Sequence, residues 1–358
     1  MLFEPLAARS LQLKNRIVMS PMTRNRTTEG NVPNELMAEY YSQRATAGLI
    51  ITEGTSPSPN GLGYPRIPGL FNVAQARGWQ AVTDSVHERG GKIFVQLMHT
   101  GRVTNVANLP AGAEVLGPDA EVCPGEIYTD TMGLQPHSRP QLMTESKIIQ
   151  AIDEYTASAR FALDAGFDGV ELHAANGYLI EQFLNANVNH RQDGYGGSIE
   201  GRNRFAIEVA SATVAAIGGD RVGMRLSPYG VFNGTGSYPD LEPQYFSLVS
   251  ELSALGLLYL HVLDHSAMGA PPVPAEFKAG LRNSFSGLFI LAGGFDRASA
   301  ESALLDKHAD LIAFGRPFLA NPDLVHRLRL DAPLNDPDAA TYYLPGPKGY
   351  TDYPSLSV

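Results

Sequence analysis

Short apolar runs alternate along the chain with segments whose apolar residues recur every three or four positions. Residues 147–165 are of the second kind, and Thr144 precedes them as a candidate helix cap. The apolar face of this predicted helix carries Ile148, Ile152, Tyr155, Ala159 and Ala162. Eight apolar runs predict strands, at residues 17–19, 49–51, 93–95, 169–172, 222–226, 258–260, 288–291 and 311–314. Strands that alternate with helices favour a parallel sheet, and a set of eight favours closure into an α/β barrel, the (β/α)8 TIM barrel.

The length of the chain suits one barrel domain that spans residues 1–358. A TIM barrel takes ~250 residues, so a chain of 358 residues has room for long loops and caps. The Pro- and Gly-rich stretch at residues 109–140 is the predicted long inserted loop, between the third and fourth strands. With 44% hydrophobic and 18% charged residues, the composition supports one packed core.

Charge and cysteine content narrow the range of partners. A net charge of -10 disfavours nucleic acid and anionic lipid as ligands. The amino terminus shows no basic region followed by an apolar stretch, and no apolar run approaches the ~20 residues of a membrane span. The lone cysteine, Cys123, cannot form an intrachain disulfide and suits a reducing compartment. We therefore predict a cytoplasmic protein, a monomer or homodimer, whose partners are small molecules rather than nucleic acid or membrane.

Polar residues gather where the predicted strands end, which is where a TIM barrel builds its active site. In chain order these exits are Ser20-Pro21-Met22-Thr23, Thr52-Glu53-Gly54, Gln96-Leu97-Met98-His99, His173-Ala174-Ala175-Asn176, Arg225-Leu226-Ser227, His261-Val262-Leu263-Asp264, Ala292-Gly293-Gly294 and Gly315-Arg316. Gly293 and Gly294 after the seventh strand, with Gly315 and Arg316 after the eighth, stand where such barrels hold a phosphate. Alternatively, the glycines only form tight turns and Arg316 pairs with a surface acid. Their joint occurrence at both strand ends favours the phosphate.

Several barrel chemistries are disfavoured by what the exits lack. A Schiff-base enzyme needs a lysine at a strand exit, whereas Lys92 opens the third strand and Lys147 opens a helix. A metal-dependent hydrolase would cluster histidines at several exits, and the first exit has none. The candidate metal ligands that remain are His173, His261, Asp264 and His265. We keep that set as an alternative and predict no metal.

Arg225 interrupts an apolar strand with a cation that keeps its proton, so it needs an anionic or accepting partner. One candidate is a buried ion pair with Glu53, which is structurally common but costs desolvation. The other is the pyrimidine edge of a reduced flavin, where negative charge develops. The remaining polar exit residues, Thr23, Gln96 and Asn176, are uncharged hydrogen-bonding groups that suit a flat heterocycle. The partner of Arg225 stays open at this point.

Several segments of the chain resemble the old yellow enzyme family of FMN oxidoreductases, and together they extend over nearly its whole length. The resembling segments are Lys14-Asn15-Arg16-Ile17-Val18-Met19-Ser20-Pro21-Met22-Thr23-Arg24, Gln96-Leu97-Met98-His99-Thr100-Gly101-Arg102, His173-Ala174-Ala175-Asn176-Gly177-Tyr178-Leu179, His190-Arg191-Gln192-Asp193-Gly194-Tyr195-Gly196-Gly197-Ser198 and Gly349-Tyr350-Thr351-Asp352-Tyr353-Pro354-Ser355-Leu356. Some branches of the family carry cysteine at the position of Thr23. The threonine is typical of the branch that includes enzymes similar to N-ethylmaleimide reductase and pentaerythritol tetranitrate reductase.

The resemblance implies tight, non-covalent binding of FMN, with NAD(P)H as the co-substrate. The implied FMN-binding residues are Pro21, Met22, Thr23, Gly54, Gln96 and Arg225, with Gly293, Gly294, Gly315 and Arg316 around the phosphate. His173 and Asn176 would hold the carbonyl or nitro oxygen that activates an alkene. Tyr178 would deliver the proton to the α-carbon after hydride from the reduced flavin reaches the β-carbon.

These residue types suit that chemistry. Negative charge builds on the substrate oxygen during hydride transfer, and two neutral donors in fixed positions stabilise it. A phenol with a pKa of ~10 keeps its proton until the enolate takes it. Taken alone, His173 or Tyr178 is more typical of ordinary packing. The triplet with Asn176, directly after the fourth strand, favours the catalytic interpretation.

An apolar slot over the flavin completes the implied site. Its expected lining is Tyr64, Met98, Phe232 and Tyr343, although each also suits plain loop packing. Met98 stands where several relatives carry tryptophan, and Gly54 where many carry alanine, which predicts a roomier or more pliable pocket.

The resulting hypothesis is a ping-pong ene-reductase that oxidises NAD(P)H and reduces activated alkenes. Its expected substrates are enones, enals, maleimides and nitroalkenes, with nitrate esters as a further class. One alternative is an FMN barrel of the dienoyl-CoA reductase type, which a single cysteine disfavours because such enzymes generally bind an iron-sulfur cluster. The other alternative is a non-catalytic flavin-binding barrel.

Overall fold

The computed structural model describes residues 1–9 and 11–356, and its centre is a closed barrel of eight parallel strands. The strands in chain order are β1 (Leu6–Ala8), β2 (Leu11–Leu13), β3 (Ile17–Met19), β4 (Leu49–Thr55), β5 (Ile93–Leu97), β6 (Leu116–Gly117), β7 (Glu126–Thr129), β8 (Gly133–Pro136), β9 (Gln141–Leu142), β10 (Gly169–Ala174), β11 (Val222–Leu226), β12 (Tyr259–Leu263), β13 (Leu288–Ala292) and β14 (Leu311–Phe314). The barrel runs β3-β4-β5-β10-β11-β12-β13-β14 and closes where β14 pairs with β3. The predicted single-domain TIM barrel and its strands are confirmed.

Five barrel strands, β4, β5, β10, β12 and β13, extend further toward their carboxyl ends than the apolar pattern predicts. β4 continues through Thr52, Glu53 and Gly54 to Thr55, and its register against β5 shifts between Ile51 and Gly54. β10 continues to Ala174. The polar side chains at these ends are fully buried under the loops, so polarity does not end the strand here. Gly54 is therefore part of a strand, paired with Gln96.

Helices surround the barrel. They are α1 (Glu35–Gln43), α2 (Val73–His87), α3 (Glu145–Asp164), α4 (Leu179–Leu184), α5 (Ile199–Ile217), α6 (Leu241–Ala254), α7 (Ala275–Ser284), α8 (Arg297–Leu305), α9 (Arg316–Ala320) and α10 (Leu324–Leu330). The predicted helix is α3, and the side chain of Thr144 caps it by accepting a hydrogen bond from the Lys147 amide. In the described part of the chain, no helix has the length and apolar composition needed to cross a bilayer.

Apolar residues fill both faces of the barrel strands. Val18, Ile51 and Phe94 are fully buried in one cluster with Leu11 and Leu13 of β2. The amino-terminal hairpin β1–β2 thus closes the amino end of the barrel with apolar side chains. Burial on both faces explains why the strands appear in the sequence as continuous apolar runs. The opposite, carboxyl end is left for the loops that carry chemistry.

The predicted insertion contains regular structure of its own. Its strands β7 and β8 form an antiparallel hairpin in which Tyr128 faces Leu134. The Asn108 amide donates to the carbonyl oxygens of Gly63 at 3.0 Å and Tyr128 at 2.9 Å. These bonds tie the hairpin to the loop after β4, which carries Tyr64.

Candidate active site

A cavity of about 720 Å³ opens at the carboxyl ends of the barrel strands. Every residue that the sequence predicts for cofactor or substrate lies in its wall. Those residues are Pro21, Met22, Thr23, Gly54, Tyr64, Gln96, Met98, His173, Asn176, Tyr178, Arg225, Phe232, Gly293, Gly294, Gly315, Arg316 and Tyr343. Contacts within the wall indicate what each group can do.

The exit of β10 is a tight turn between the strand and α4. Asn176 and Gly177 adopt consecutive positive φ angles of 60° and 75°, the left-handed region. A Cβ at Gly177 would lie 2.7 Å from the Phe232 carbonyl oxygen, so only glycine fits there. Tyr178 follows at the N-cap position of α4. Its ring packs edge to face against the His173 ring, with the two ring centroids 5.0 Å apart. The turn brings His173, Asn176 and Tyr178 to one side of the cavity.

His173 is held as a neutral imidazole in one tautomer. Burial, followed by the positive charge of Arg225, lowers the pKa of His173 well below its usual value. Its Nδ1 accepts a hydrogen bond from the Ala175 amide at 3.3 Å, so the ring proton resides on Nε2. His173 can therefore donate a hydrogen bond to an oxygen without carrying a charge.

Tyr178 keeps its phenol proton over the whole physiological range. Burial raises the pKa of Tyr178 to about 12, although its hydrogen bond with Tyr64 opposes the shift. The two hydroxyl oxygens lie 2.9 Å apart, and either can be the donor. Tyr64, which the sequence assigns only to the apolar slot, is thus also the polar partner of Tyr178.

Arg225 lies on β11 directly beside His173, its partner in the strand register, and takes part in no ion pair among residues 1–9 and 11–356. Its Nε is buried, and no residue in the described part of the chain bonds it. The alternative partner Glu53 instead accepts hydrogen bonds from the Arg24 amide and the Tyr41 hydroxyl. The acid whose charge acts most on Arg225 is Glu171, but that carboxylate is already bonded to other side chains. Arg225 therefore has hydrogen-bonding capacity left for a ligand.

Glu171 organises the floor beside Arg225. Its two oxygens are bonded to Gln96 Nε2 and His261 Nδ1, each at 2.8 Å. These charges and bonds lower the pKa of Glu171 despite its complete burial. His261, which the sequence offers as a metal ligand, is thus occupied by a carboxylate. Within the described ranges, no group of three or more His, Cys, Asp or Glu side chains is arranged to hold a metal ion.

Glycines form the far end of the cavity. Gly293 and Gly294 have φ angles of 138° and 70°, and a Cβ at Gly293 would lie 2.4 Å from the Asp264 carbonyl oxygen. Both positions need glycine, which leaves backbone open to the cavity. Arg316 begins α9 directly after Gly315 and forms no ion pair in the part of the chain that the structure describes. An unpaired arginine beside bare backbone suits a phosphate.

Met98 fills the space that the missing side chain of Gly54 leaves. A Cβ at Gly54 would lie 2.5 Å from Met98 Sδ and 2.6 Å from Met98 Cε. The small residue and the flexible one therefore fit each other, and the thioether takes up the room that a glycine alone would open.

Some wall residues were not assigned to cofactor or substrate from the sequence, although His265 was considered as a metal ligand. They include Arg24, Asn233, His265, Met268, Phe295 and Tyr342. Arg24 and Arg26 both donate hydrogen bonds to the Tyr342 carbonyl oxygen, at 3.2 and 2.6 Å. These bonds hold the segment that carries Tyr342 and Tyr343 in the cavity wall. His265 directly follows the exit of β12, so its position was a usable signal. Tyr342 depends on a contact between residues more than three hundred positions apart, which no local pattern reveals.

A profile of the NADH:flavin oxidoreductase / NADH oxidase family matches residues 1–335. The chain belongs to this family, the old yellow enzymes. The chain is 43% identical to 12-oxophytodienoate reductase 1 of Oryza sativa subsp. japonica, covering 99% of this chain and 93% of that protein. It is 41% identical to chanoclavine-I aldehyde reductase of Penicillium roqueforti, covering 98% and 95%.

Solved structures of old yellow enzymes superpose on the whole barrel. Morphinone reductase matches with a TM-score of 0.95 at 43% identity, covering 99% of this chain and 96% of that one. The old yellow enzyme homologue from Zymomonas mobilis matches with a TM-score of 0.94 at 40% identity, covering 99% of each chain. The resemblance found in the sequence is confirmed, and the protein is an NAD(P)H:flavin oxidoreductase of the alkene reductase type that uses FMN. The unpartnered Arg225 and the glycine-lined end fit that cofactor.

Proposed function

We propose that this old yellow enzyme reduces the carbon–carbon double bond of small activated alkenes at the expense of NAD(P)H. This proposal rests on one observation: two uncharged donors and a phenol lie on one wall of the cavity, beside Arg225, whose Nε has no partner within the described residues. When bound, FMN supplies the redox chemistry, accepting a hydride equivalent from NAD(P)H and passing it to the β-carbon of the alkene. The chain supplies binding, orientation and the proton.

The cofactor half of the cavity is assigned by its hydrogen-bonding capacity. Arg225 and Gln96 would bind the pyrimidine edge of the flavin, and Thr23 would donate to a ring carbonyl. Pro21, Met22 and Gly54 would pack against the ring system. The phosphate would be held by Gly293, Gly294, Gly315 and Arg316. We expect this binding to be tight and non-covalent, because it is built from hydrogen bonds, packing against the ring system and contacts with the phosphate.

The donor pair stabilises charge on the acceptor. His173 Nε2 carries a proton because its Nδ1 accepts from the Ala175 amide. Asn176 Oδ1 has no partner in the described chain, so the amide is free to orient its donor toward a ligand. Two neutral donors in a buried site favour a developing oxyanion without requiring a counter-charge in the ground state. An enone, enal, maleimide or nitroalkene presents an oxygen of this kind.

The proton comes from Tyr178. A pKa of about 12 keeps the phenol protonated at neutral pH, so it cannot release its proton before the acceptor develops carbanion character. Tyr64 is partly exposed and within hydrogen-bonding distance of Tyr178, so after each turnover it can pass its own proton to Tyr178 and take another from solvent. We propose Tyr178 as the general acid and Tyr64 as the group that reprotonates it.

The slot for the acceptor is apolar and partly open. Phe232 and Tyr343 are 37% and 57% exposed, which suits residues at a mouth, whereas Met98 and Tyr178 are almost fully buried. The names of three relatives describe an oxo acid, an aldehyde and a ketone. We infer that an α,β-unsaturated carbonyl compound is the preferred acceptor, with nitroalkenes and nitrate esters as weaker candidates.

Both half-reactions use the same slot, so ping-pong kinetics are expected. We also propose that the enzyme acts in the cytoplasm, because its lone thiol, Cys123, is buried and unpaired as in a reducing compartment. A monomer or homodimer is compatible with a cavity built from one chain.

The decisive experiment is an anaerobic two-step titration of the purified holoenzyme. NADPH or NADH should bleach the yellow flavin absorbance, and 2-cyclohexenone should restore it at a rate consistent with turnover. A protein whose reduced flavin is not reoxidised by any enone, enal, maleimide or nitroalkene is a flavin-binding barrel rather than an ene-reductase. Saturated cyclohexanone is the matched control, because it offers the same oxygen without a double bond.

A further inference from the structure

Glu181 is a buried carboxylate that the proposed reaction does not use. It lies in the first turn of α4, is 1% exposed and does not line the cavity. It forms no salt bridge among the residues that the structure describes. A buried carboxylate without a cation must be held by hydrogen bonds, because its desolvation is otherwise too costly. The identity of those donors indicates its role.

The donors to Glu181 come from the turn that carries the candidate catalytic residues. Its Oε2 accepts the Gly177 amide at 2.6 Å. Both of its oxygens lie within 3.0–3.1 Å of the Ser227 hydroxyl. The Ser227 oxygen in turn accepts the Asn176 amide at 2.9 Å. Two consecutive backbone amides are thus fixed, one directly by Glu181 and one through Ser227.

The turn needs such anchors because its backbone is in an unfavourable region. Asn176 has a φ of 60°, in the left-handed region that side-chain-bearing residues seldom adopt. The Asn176 carbonyl oxygen accepts a hydrogen bond from Asn233 Nδ2 at 2.7 Å, so the backbone N–H and C=O of Asn176 are both bonded. Loss of the amide anchors would let the turn relax, and the Asn176 side chain and Tyr178 would move with it.

We propose that Glu181 is a positioning residue: through the Gly177 amide and the Ser227 hydroxyl, its carboxylate holds the turn that presents Asn176 and Tyr178 to the acceptor. This inference rests on the proposed function, since it assigns the turn's purpose to acceptor binding. Glu181 does not line the cavity, so its carboxylate acts on the acceptor only through this turn.

The protonation state of Glu181 gives this role a measurable pH dependence. Burial raises the pKa of Glu181 to about 7, and its bonds with Gly177, Ser227 and Tyr245 limit the rise. Two titratable groups face it, Tyr245 and Tyr238; burial raises the pKa of both, and the charge of Glu181 raises each further. Above this pKa the carboxylate accepts every bond described. Below it, one oxygen becomes a donor that competes with the Ser227 hydroxyl.

The test compares the holoenzyme with Glu181→Gln between pH 6 and 8.5. The probe is phenol, which stays neutral in this range because its pKa is ~10, and its dissociation constant is read from the flavin absorbance. Wild-type affinity should rise with pH through a midpoint near 7. Glu181→Gln, which resembles the protonated acid at every pH, should bind phenol ~10-fold more weakly at pH 8.5, with no such midpoint. Its 2-cyclohexenone reduction at pH 8.5 should slow by a similar factor.

Two further variants separate positioning from general damage. Tyr245→Phe removes the 3.5 Å bond to Glu181 and leaves the turn anchored. Phenol affinity should therefore still depend on pH, but with its midpoint at higher pH, because this bond lowers the pKa of Glu181. Ser227→Ala breaks the Asn176 anchor from the other side and should weaken phenol binding ~10-fold even if Glu181→Gln does not fold. If Glu181→Gln bound phenol with wild-type affinity and with the wild-type midpoint, this inference would be overturned while the proposed function would stand. A wild-type protein that binds no phenol and reduces no enone would overturn the proposed function, and this inference with it.

Discussion

Two regions of the cavity wall differ in how their polar groups are held. In the first region, the exit of β10, His173 and Tyr178 are bonded to the Ala175 amide and the Tyr64 hydroxyl. The second region consists of Arg225, on the neighbouring strand β11, and the glycine-lined end of the cavity; Arg225 Nε has no partner within the described residues, and Arg316 stands beside bare glycine backbone. The first region is fixed by bonds within the chain and keeps its two donors for the acceptor, whereas the second has capacity that FMN would satisfy. Changes in the first region should alter rates, and changes in the second should alter cofactor retention.

Among changes in the first region, replacement of Tyr178 by phenylalanine should slow the alkene half-reaction most. Reduction of the bound flavin by NADPH should stay nearly intact, while reoxidation by 2-cyclohexenone should slow ~10²–10⁴-fold, the usual contribution of a general acid. Stopped-flow measurement of the two half-reactions separates them. Equal slowing of both would show that Tyr178 serves binding rather than proton delivery.

The same acid predicts the pH profile of the wild-type protein. Because burial raises the pKa of Tyr178 to about 12, the phenol stays protonated up to high pH. The alkene half-reaction should therefore show no loss between pH 8 and 10 from ionisation of Tyr178. A decline with a midpoint below 10 that is absent in Tyr178→Phe would contradict this.

Removal of one of the two donors in the same region should slow alkene reduction somewhat less. His173→Ala or Asn176→Ala should each slow alkene reduction ~10²–10³-fold, because the developing oxyanion loses one of two neutral donors. Phenol binding should weaken as well, since its oxygen uses the same donors. FMN content measured after gel filtration serves as the control and should not change. Unaltered phenol affinity in the double variant would exclude the pair as the oxygen-binding site.

Much of this arrangement is readable from the sequence, because it depends on short-range order. The barrel strands are buried on both faces, so they appear as continuous apolar runs, and the residues after them meet at one end. His173, Asn176 and Tyr178 lie within six positions, and a single turn fixes their relation. The residue types at the exits then limit the chemistry. The polar ends of β4 and β10 escaped the pattern, because Glu53 and His173 are buried by loops that the local sequence does not describe.

The supporting contacts could not be predicted, because they join distant parts of the chain. Tyr64 and Tyr178 are 114 positions apart, and their hydroxyl contact requires the loop after β4 to fold over the β10 exit. Glu181 in α4 is a typical helix residue in sequence, and only packing against Ser227 shows what it anchors. The sequence left Arg225 with two possible partners. The fold decides against Glu53 by pairing that acid with the Arg24 amide and Tyr41.

In the second region, Arg225→Met should weaken FMN binding while the hydrogen bonds that hold the donor turn stay in place. A hydrogen bond to a charged group contributes ~1.5–3 kcal/mol, so the dissociation constant should rise ~10–100-fold. Fluorescence titration of the apoprotein with FMN measures it. Arg316→Ala should cost less, because that side chain is exposed and solvent screens its charge. If Arg225→Met retained wild-type affinity, the unpartnered guanidinium would not be the flavin contact.

The smallest expected effect concerns the acceptor slot, where Gly54 and Met98 fit together. In Gly54→Ala, the new Cβ would lie 2.5 Å from Met98 Sδ, so the flexible thioether must move toward the slot. FMN binding should be retained, while kcat/KM for a bulky enone should fall ~10-fold relative to 2-cyclohexenone, the scale of one methylene in an apolar pocket. Met98→Ala should widen the slot, and the double variant should restore the bulky substrate, because removal of the thioether leaves room for the new methyl. The two changes must therefore be non-additive. Additive effects on kcat/KM would show that Gly54 and Met98 act independently and that the slot is shaped elsewhere.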